Sequence, residues 1–222
     1  MKRKTLQIVL LSITASGAIG TVMAQPPHDR PPTHAVPSAQ AEPTFTGTVK
    51  QYLLNPHGEV DGLLLDDGSQ VKFPPHLGEE LAATARPGDT VSVQGWREGH
   101  GEIKAYAITG GSGVTVVDRP PAWHERKPPK HWRQMTLSPM SAQGVVQHLL
   151  FGKHGEIKGV VLDDGTIVRF PRPKHTSHML SGVLRVGEPL SAHGYGTENA
   201  YGRVLEAESV SAGGRDLPLY HR

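Results

Sequence analysis

The chain has 222 residues, enough for one or two domains, and carries 23 Lys and Arg against 21 Asp and Glu. The formal net charge of +2 does not by itself identify a nucleic-acid-binding protein, because such proteins usually present a strongly basic face. The absence of cysteine excludes disulfides and a lipid-modified N-terminal cysteine, so each folded unit must be stable through its core alone.

Residues 1–24 have the features of a signal peptide. Lys2, Arg3 and Lys4 precede a mostly apolar stretch at 6–13, and small residues lead up to Ala24. This stretch is shorter than the about 20 residues that span a bilayer. We therefore predict a periplasmic or secreted protein with no membrane span, and an uncleaved anchor is the alternative. Residues 25–44 are rich in Pro and Ala, which indicates a disordered leader.

The strongest pattern in the chain is an internal repeat. Residues 57–74 (HGEVDGLLLDDGSQVKFP) recur 97 positions later as residues 154–171 (HGEIKGVVLDDGTIVRFP), with 11 of 18 positions identical. A match of this density at one offset indicates a duplicated structural unit. We therefore predict two domains, at 45–109 and 142–212, joined by a Pro-rich basic linker at 110–141 and followed by a tail at 213–222.

Each unit has the pattern of five short strands with one short helix between the third and fourth. Alternating apolar residues and β-formers predict the strands, and Asp-Asp-Gly at 66–68 and 163–165 predicts tight hairpin turns. In the first unit the predicted strands are 46–53, 60–65, 69–73, 90–96 and 102–109, with the helix at 76–83. In the second unit they are 144–150, 157–162, 166–170, 187–194 and 204–210, with the helix at 175–184.

This order of elements, taken with the repeated segments, resembles the OB-fold superfamily and is broadly similar to small bacterial periplasmic OB-fold proteins. The resemblance implies an all-β protein with two tandem five-stranded OB-like barrels. Closed barrels also leave no sheet edge exposed, which suits a protein without disulfides. A β-sandwich or an SH3-like barrel is the alternative fold.

The resemblance also implies where a ligand would bind, namely the face of strands two and three and the loops beside it. Lys72 and Arg169 lie at matching positions of strand three, and a cation beside aromatic rings suits a phosphate with a stacked ring. The other reading is that Lys72 and Arg169 are solvated strand residues and that Trp96 and Tyr195 cap the barrels. The full set of candidate ligand-binding residues is His57, Lys72, Trp96, Arg97, His100, Lys153, His154, Arg169, Tyr195 and Tyr201.

The 13 histidines raise the alternative of a divalent-metal site. His175 and His178 are three apart on the predicted helix, close enough to share Zn, Cu or Ni. His57 and His154 occupy the same turn in both units, each followed by Gly-Glu, which is too few ligands to close a site. The alternative is that these histidines are ordinary surface residues beside prolines.

No sequence motif indicates an enzyme. The chain has no nucleophile elbow, phosphate loop, cysteine nucleophile or HExxH helix. Trp123, Trp132 and five basic residues of the linker could contact an anionic partner, or the linker is a solubilising spacer. We therefore predict an exported, non-catalytic binding module for an anionic oligonucleotide, polymer or small anion, without a required cofactor. Any nucleic-acid affinity should be weak and salt-sensitive. A His-rich periplasmic metal-binding protein is the alternative.

Overall fold

A computed structural model describes residues 43–122, 137–171 and 173–220, with the backbone only for 173–175. The predicted signal peptide, most of the leader and residues 123–136 of the predicted linker lie outside the described residues. In the first half of the chain the elements are β1 (Thr44–Leu54), β2 (Val60–Leu65), β3 (Gln70–Lys72), a 3-10 turn (Pro75–Leu77), α1 (Gly78–Thr84), β4 (Thr90–Arg97), a 3-10 turn (Gly99–Gly101), β5 (Glu102–Thr109) and β6 (Thr115–Val117).

The first five strands close into a barrel. β1 pairs with both β2 and β4, β2 pairs with β3, and β4 pairs with β5, all antiparallel. A parallel pairing of β3 with β5 completes the circle. With α1 placed between β3 and β4, this arrangement fits the OB-like barrel predicted from the sequence.

The second half forms a second barrel with the same pairings, closed by parallel β9 and β11. Its elements are β7 (Ser138–Phe151), β8 (Ile157–Leu162), β9 (Ile167–Arg169), α2 (Pro173–Ser181), β10 (Pro189–Asn199), β11 (Gly202–Ala212) and β12 (Arg215–Pro218). The prediction of an all-β protein with two five-stranded barrels, each with a short helix between strands three and four, is confirmed.

The repeated Asp-Asp-Gly segments form the predicted hairpin turns. Gly68 and Gly165 have φ of 82° and 83°, a conformation that favours glycine. The Asp67 carboxylate accepts bonds from the amide and the hydroxyl of Ser69, at 2.8 and 2.9 Å. Asp164 accepts the same two bonds from Thr166. These carboxylates hold the turns, which explains their repetition without any catalytic role.

The core residues expected from the alternation of strand three are buried. Val71 and Phe73 in barrel 1, and Val168 and Phe170 in barrel 2, are at most 4% exposed. Gly62 lies against the backbone of β3, where an added Cβ would meet the oxygen of Val71 at 2.0 Å. Its repeat partner, Gly159, has the same restriction because of its close approach to β9. The glycine in this position of the repeat therefore permits tight packing of two strands.

Both barrels carry a sixth strand that the sequence analysis did not predict. β6 pairs with β5, and β12 pairs with β11, each antiparallel. β6 lies in the segment predicted as a linker, and β12 lies in the predicted tail. Each of these strands follows a glycine-containing turn, at residues 110–113 and 213–214, and glycine is a loop signal that gives no indication of a short strand after it. The sixth strand is thus part of the duplicated unit.

In the second barrel, strands β10 and β11 are longer than predicted. Gly194 and Gly196 lie within β10 and do not end it. A Cβ on either residue would come within 2.0 to 2.2 Å of a carbonyl oxygen of β11. These glycines permit a close approach between the two strands, so the prediction that strand four ends at Gly194 is wrong.

The two barrels pack against each other through matching surfaces. Gln51 and His148 occupy equivalent positions, as do Gly68 and Gly165. The Gln51 side chain donates to the oxygen of Gly165 at 3.3 Å, and His148 Nδ1 lies 3.9 Å from the place of a Cβ on Gly68. Apolar side chains fill the centre of this contact, and those from barrel 2 are Leu150, Val161, Ile167 and Val204. The barrel–barrel contact is therefore approximately two-fold.

Among the described residues, no helix has the length and apolar character needed to cross a membrane.

Candidate ligand-binding surface

The outer face of barrel 1 carries an aromatic ring and two cations in one row across three strands. Trp96 on β4 pairs in register with Lys104 on β5, and Lys104 pairs in register with Lys72 on β3. Residues paired in register project from the same face of a sheet, so the three side chains are neighbours. Trp96 is 46% exposed, and both lysines are exposed.

The rings and cations of this region are in contact. The Lys104 Nζ lies 5.2 Å from the centroid of the Trp96 ring, within cation–π range. The Trp96 ring is stacked with Tyr106, with 6.4 Å between centroids and 23° between planes. We call Lys72, Trp96, Lys104 and Tyr106 the ring–cation surface. Next to it, the exposed Arg97 guanidinium lies 5.0 Å from the Phe45 ring.

Sequence reasoning found Trp96, Arg97 and Lys72 but missed Lys104 and Tyr106. The two missed residues are two apart on β5, between the buried Ile103, Ala105 and Ala107. This alternation was the available signal, because it places residues 104 and 106 on the outer face of the strand. The OB-fold resemblance instead directs attention to the loops and to strands two and three.

The matching surface of barrel 2 has the opposite charge. Tyr195 takes the place of Trp96 and pairs in register with Glu206, which takes the place of Lys104. Glu208 takes the place of Tyr106. Tyr195 is 45% exposed, and the Tyr220 hydroxyl donates to the Glu206 carboxylate. We call Tyr195, Glu206 and Glu208 the acidic surface.

Arg169 and Lys72 match in sequence but lie in different environments. Arg169 is buried between the barrels, where its Nε donates to the oxygen of Leu54 at 2.8 Å and its Nη2 to Asp61 at 3.0 Å. The expectation that the Arg169 side chain faces solvent is therefore wrong, because Arg169 is buried. Arg169 projects from its own barrel, as the strand alternation predicts, but the other barrel covers it.

Lys72, by contrast, remains 56% exposed and lies 3.8 Å from the buried Glu102. A ligand can therefore reach Lys72 from solvent, whereas the guanidinium of Arg169 is occupied by internal partners.

His57 and Tyr201, from different barrels, line one cleft. This cleft lies between the β1–β2 turn, the start of α1 and the β10–β11 turn, and it also contains His76 and Asn199. Asn199 Nδ2 donates to the oxygen of Gly58 at 2.8 Å, and the Tyr201 ring meets Tyr52 edge-on with 5.7 Å between centroids. The structure thus brings together two predicted residues that are distant in sequence.

His100, the one non-glycine residue with positive φ in the described chain, also contacts the other barrel. Its ring lies 5.3 Å from that of Phe151, tilted by 30°. Lys153, which follows Phe151 in the next turn, is exposed. The backbone oxygen of Lys153 lies 3.7 Å from the place of a Cβ on Gly99, the residue before His100, so the structure brings these two predicted residues near each other.

His154 and His178 line a shallow cleft with Glu156 and Ser177. This cleft is the barrel 2 counterpart of the one that contains His57. Within the described part of the chain, no group of three or more His, Asp or Glu side chains is placed to hold a metal ion. The His175 side chain lies outside the described residues, so the predicted His175–His178 pair stays a prediction.

No family model and no curated protein matches the chain. Among solved structures, it is similar to a deletion mutant of the single-stranded DNA binding protein from Thermus aquaticus. That match has 13% identity and a TM-score of 0.23, and it covers 80% of this chain and 96% of the other. The geometry of the described residues defines the class: a tandem-barrel protein whose first barrel presents an aromatic and cationic surface.

Proposed function

We propose that this chain is an exported, non-catalytic binding module for an anionic ligand, and that the ring–cation surface of barrel 1 is its contact site. The observation that carries the proposal is the register row of Trp96, Lys104 and Lys72, with Tyr106 stacked on the tryptophan. An exposed indole flanked by two ammonium groups offers a stacking face and a charge for phosphate in one small area.

The ligand that best suits this surface is a short single-stranded oligonucleotide. Stacking of a base on an aromatic side chain contributes about 1–3 kcal/mol and is tolerant of sequence. Two lysines can neutralise about two phosphates, which supports only modest affinity at physiological salt. An anionic polymer without rings would use the lysines alone and should bind more weakly.

The barrel–barrel contact favours this location over the face of strands two and three. Arg169, Gln70 and Lys158 from that region all bond across the two barrels. A ligand at that face would have to separate the barrels and leave buried charges without partners, which is costly. The outer face of β4 and β5 needs no such rearrangement.

Fluorescence anisotropy with a labelled oligothymidylate tests the proposal. Trp96→Ala should weaken binding by a factor of about 5–150, the equivalent of one stacked base. Tyr195→Ala removes the ring at the matching position of barrel 2 and serves as the control, with affinity unchanged. Equal affinity of wild type and Trp96→Ala for the oligothymidylate would show that the ring–cation surface is not the contact site.

A second probe separates stacking from charge. Inorganic polyphosphate has no rings, so its binding should fall with Lys104→Ala and remain unchanged with Trp96→Ala. If Trp96→Ala weakens polyphosphate and oligothymidylate equally, the indole is not acting as a stacking platform.

Export is supported by the basic and apolar pattern of residues 1–24. Intact-mass measurement of the protein recovered from the periplasmic fraction should show a chain that begins at Gln25. Recovery of the full-length chain in the membrane fraction would support the uncleaved anchor instead.

A divalent-metal function is the second candidate. The observation that favours it is that His154 and His178 line one cleft, although the described side chains there do not form a set of three metal ligands. Imidazole nitrogens are common ligands for Zn, Cu or Ni. In this proposal His175 and His178 would provide the ligands on α2.

A further inference from the structure

We infer that copies of this chain associate head to tail, with the ring–cation surface of one copy on the acidic surface of barrel 2 in the next. This inference concerns a protein partner and does not depend on the ligand proposed above.

The two surfaces occupy the same place in the two barrels. β4 pairs with β5 as β10 pairs with β11, and both pairings have a register irregularity immediately before Gly95 and Gly194. Trp96 and Tyr195 are the residues after those glycines, and both are nearly half exposed. The duplication has thus kept an exposed ring in this position of each barrel.

The charge around the ring has changed sign between the barrels. Lys104 lies in register with Trp96, whereas Glu206 lies in register with Tyr195. The next outward position of the same strand is Tyr106 in barrel 1 and the exposed Glu208 in barrel 2. Barrel 1 therefore presents a cation beside its rings, and barrel 2 presents two carboxylates beside its ring.

This difference in sign selects the partner. A contact between two barrel 1 surfaces would place Lys104 of both copies together, and a contact between two barrel 2 surfaces would bring four carboxylates together. Like charges in contact are unfavourable. A contact between unlike surfaces places Lys104 against Glu206 and Glu208 and allows the two exposed rings to pack, so unlike pairing is the favoured mode.

The inferred contact joins different surfaces of the two copies, so it is heterologous. Each added copy leaves one ring–cation surface and one acidic surface unused, and growth continues unless the chain of copies closes into a ring. Few charges and two rings provide a small interface. The association should therefore be weak, reversible and reduced by salt.

Sedimentation velocity on the purified chain tests this inference without any ligand. At low ionic strength the weight-average sedimentation coefficient should rise steadily with protein concentration, and 0.5 M salt should return it to the monomer value. Lys104→Glu should remain monomeric at low salt, as should Glu208→Lys. The control is Glu188→Lys, which makes the same charge change at an exposed site immediately before β10 and should associate like wild type.

Mixing the two inactive variants provides the decisive arm. Lys104→Glu retains a normal acidic surface, and Glu208→Lys retains a normal ring–cation surface, so an equimolar mixture should regain association. A wild-type chain that is monomeric at every concentration would overturn the inference. So would a stable dimer that neither salt nor the Lys104→Glu change dissociates, because it would use another surface.

Discussion

Lys158 Nζ lies 2.8 Å from Glu102 Oε2, across the boundary between the two barrels. Glu102 is fully buried, and its other oxygen is 3.8 Å from Lys72. Burial lowers the pKa of Lys158, and the hydrogen bond and charge of Glu102 oppose that effect. Each group therefore compensates much of the desolvation cost of the other, which makes the pair a determinant of how the barrels fit together.

We expect the two members of this pair to be strongly coupled. Lys158→Met alone leaves the Glu102 carboxylate buried without its near cation and should reduce the free energy of unfolding by about 3–5 kcal/mol. Glu102→Val introduces the residue found at the matching position, Val204, but leaves the Lys158 ammonium without its partner. The double variant removes both charges and should be less destabilised than the sum of the single variants.

Urea unfolding of the four proteins in this double-mutant cycle measures the coupling directly. Substitutions at Asp89 and Glu80, which lie away from the barrel–barrel contact, serve as the control. Their effects on the free energy of unfolding should be additive. Additive losses for Glu102→Val and Lys158→Met would mean that the pair contributes nothing specific.

The barrel–barrel contact should also respond to pH through His148. Burial is the larger of two causes that lower the pKa of His148, and the positive charge of the nearby Lys50 is the other. Lys50 Nζ lies 2.7 Å from His148 Nε2, so this nitrogen accepts the bond and must be unprotonated. The folded protein thus binds fewer protons than the unfolded chain just below pH of about 6.5, and stability should fall as pH decreases through that region.

His148→Gln isolates this contribution, because glutamine is the residue at the matching position, Gln51. As pH falls from 7.5 to 5, the free energy of unfolding of wild type should decrease more than that of His148→Gln. His193→Gln, at an exposed site on β10, is the control. Parallel stability curves for wild type and His148→Gln would contradict the role given to His148.

Much of the fold could be predicted because the repeat fixes local structure twice. The boundaries of β2, β5 and β8 agree with prediction, since strong alternation or apolar runs end at clear turn signals. The sixth strands could not be predicted in the same way. β6 and β12 are three and four residues long and have too few positions for a periodic pattern.

The candidate site was harder to predict, because packing between the barrels decides which outer faces remain accessible. Lys72 and Arg169 match in sequence, yet Arg169 is buried against barrel 1 and Lys72 is exposed. No local pattern distinguishes the two, since the difference arises from a contact more than a hundred residues away in the chain. Trp96 and Lys104 likewise come together only through strand pairing.

The metal alternative has a direct calorimetric test. If α2 holds Zn through His175 and His178, titration of the purified chain with ZnCl₂ should give a saturable heat with a dissociation constant of micromolar order. His178→Gln should abolish that heat, and His76→Gln, at the corresponding region of barrel 1, should leave it unchanged. The absence of heat at high protein concentration, or an equal loss with His76→Gln, would remove the α2 site.

The salt dependence of oligonucleotide binding should report how many cations contact phosphate. Each phosphate neutralised by a single-stranded ligand changes the slope of log K against log salt by about −0.7, so contacts from Lys72 and Lys104 predict a slope of about −1.4. Lys104→Ala should reduce the slope by about 0.7, because one contact is lost. Trp96→Ala should lower the whole line without changing its slope, since stacking releases no counterions. Arg185→Ala removes an exposed cation on barrel 2 and should leave both slope and affinity unchanged. If Arg185→Ala and Lys104→Ala change the slope equally, the ligand is attracted by the net charge of the whole protein. Binding at the ring–cation surface requires that only Lys104→Ala changes the slope.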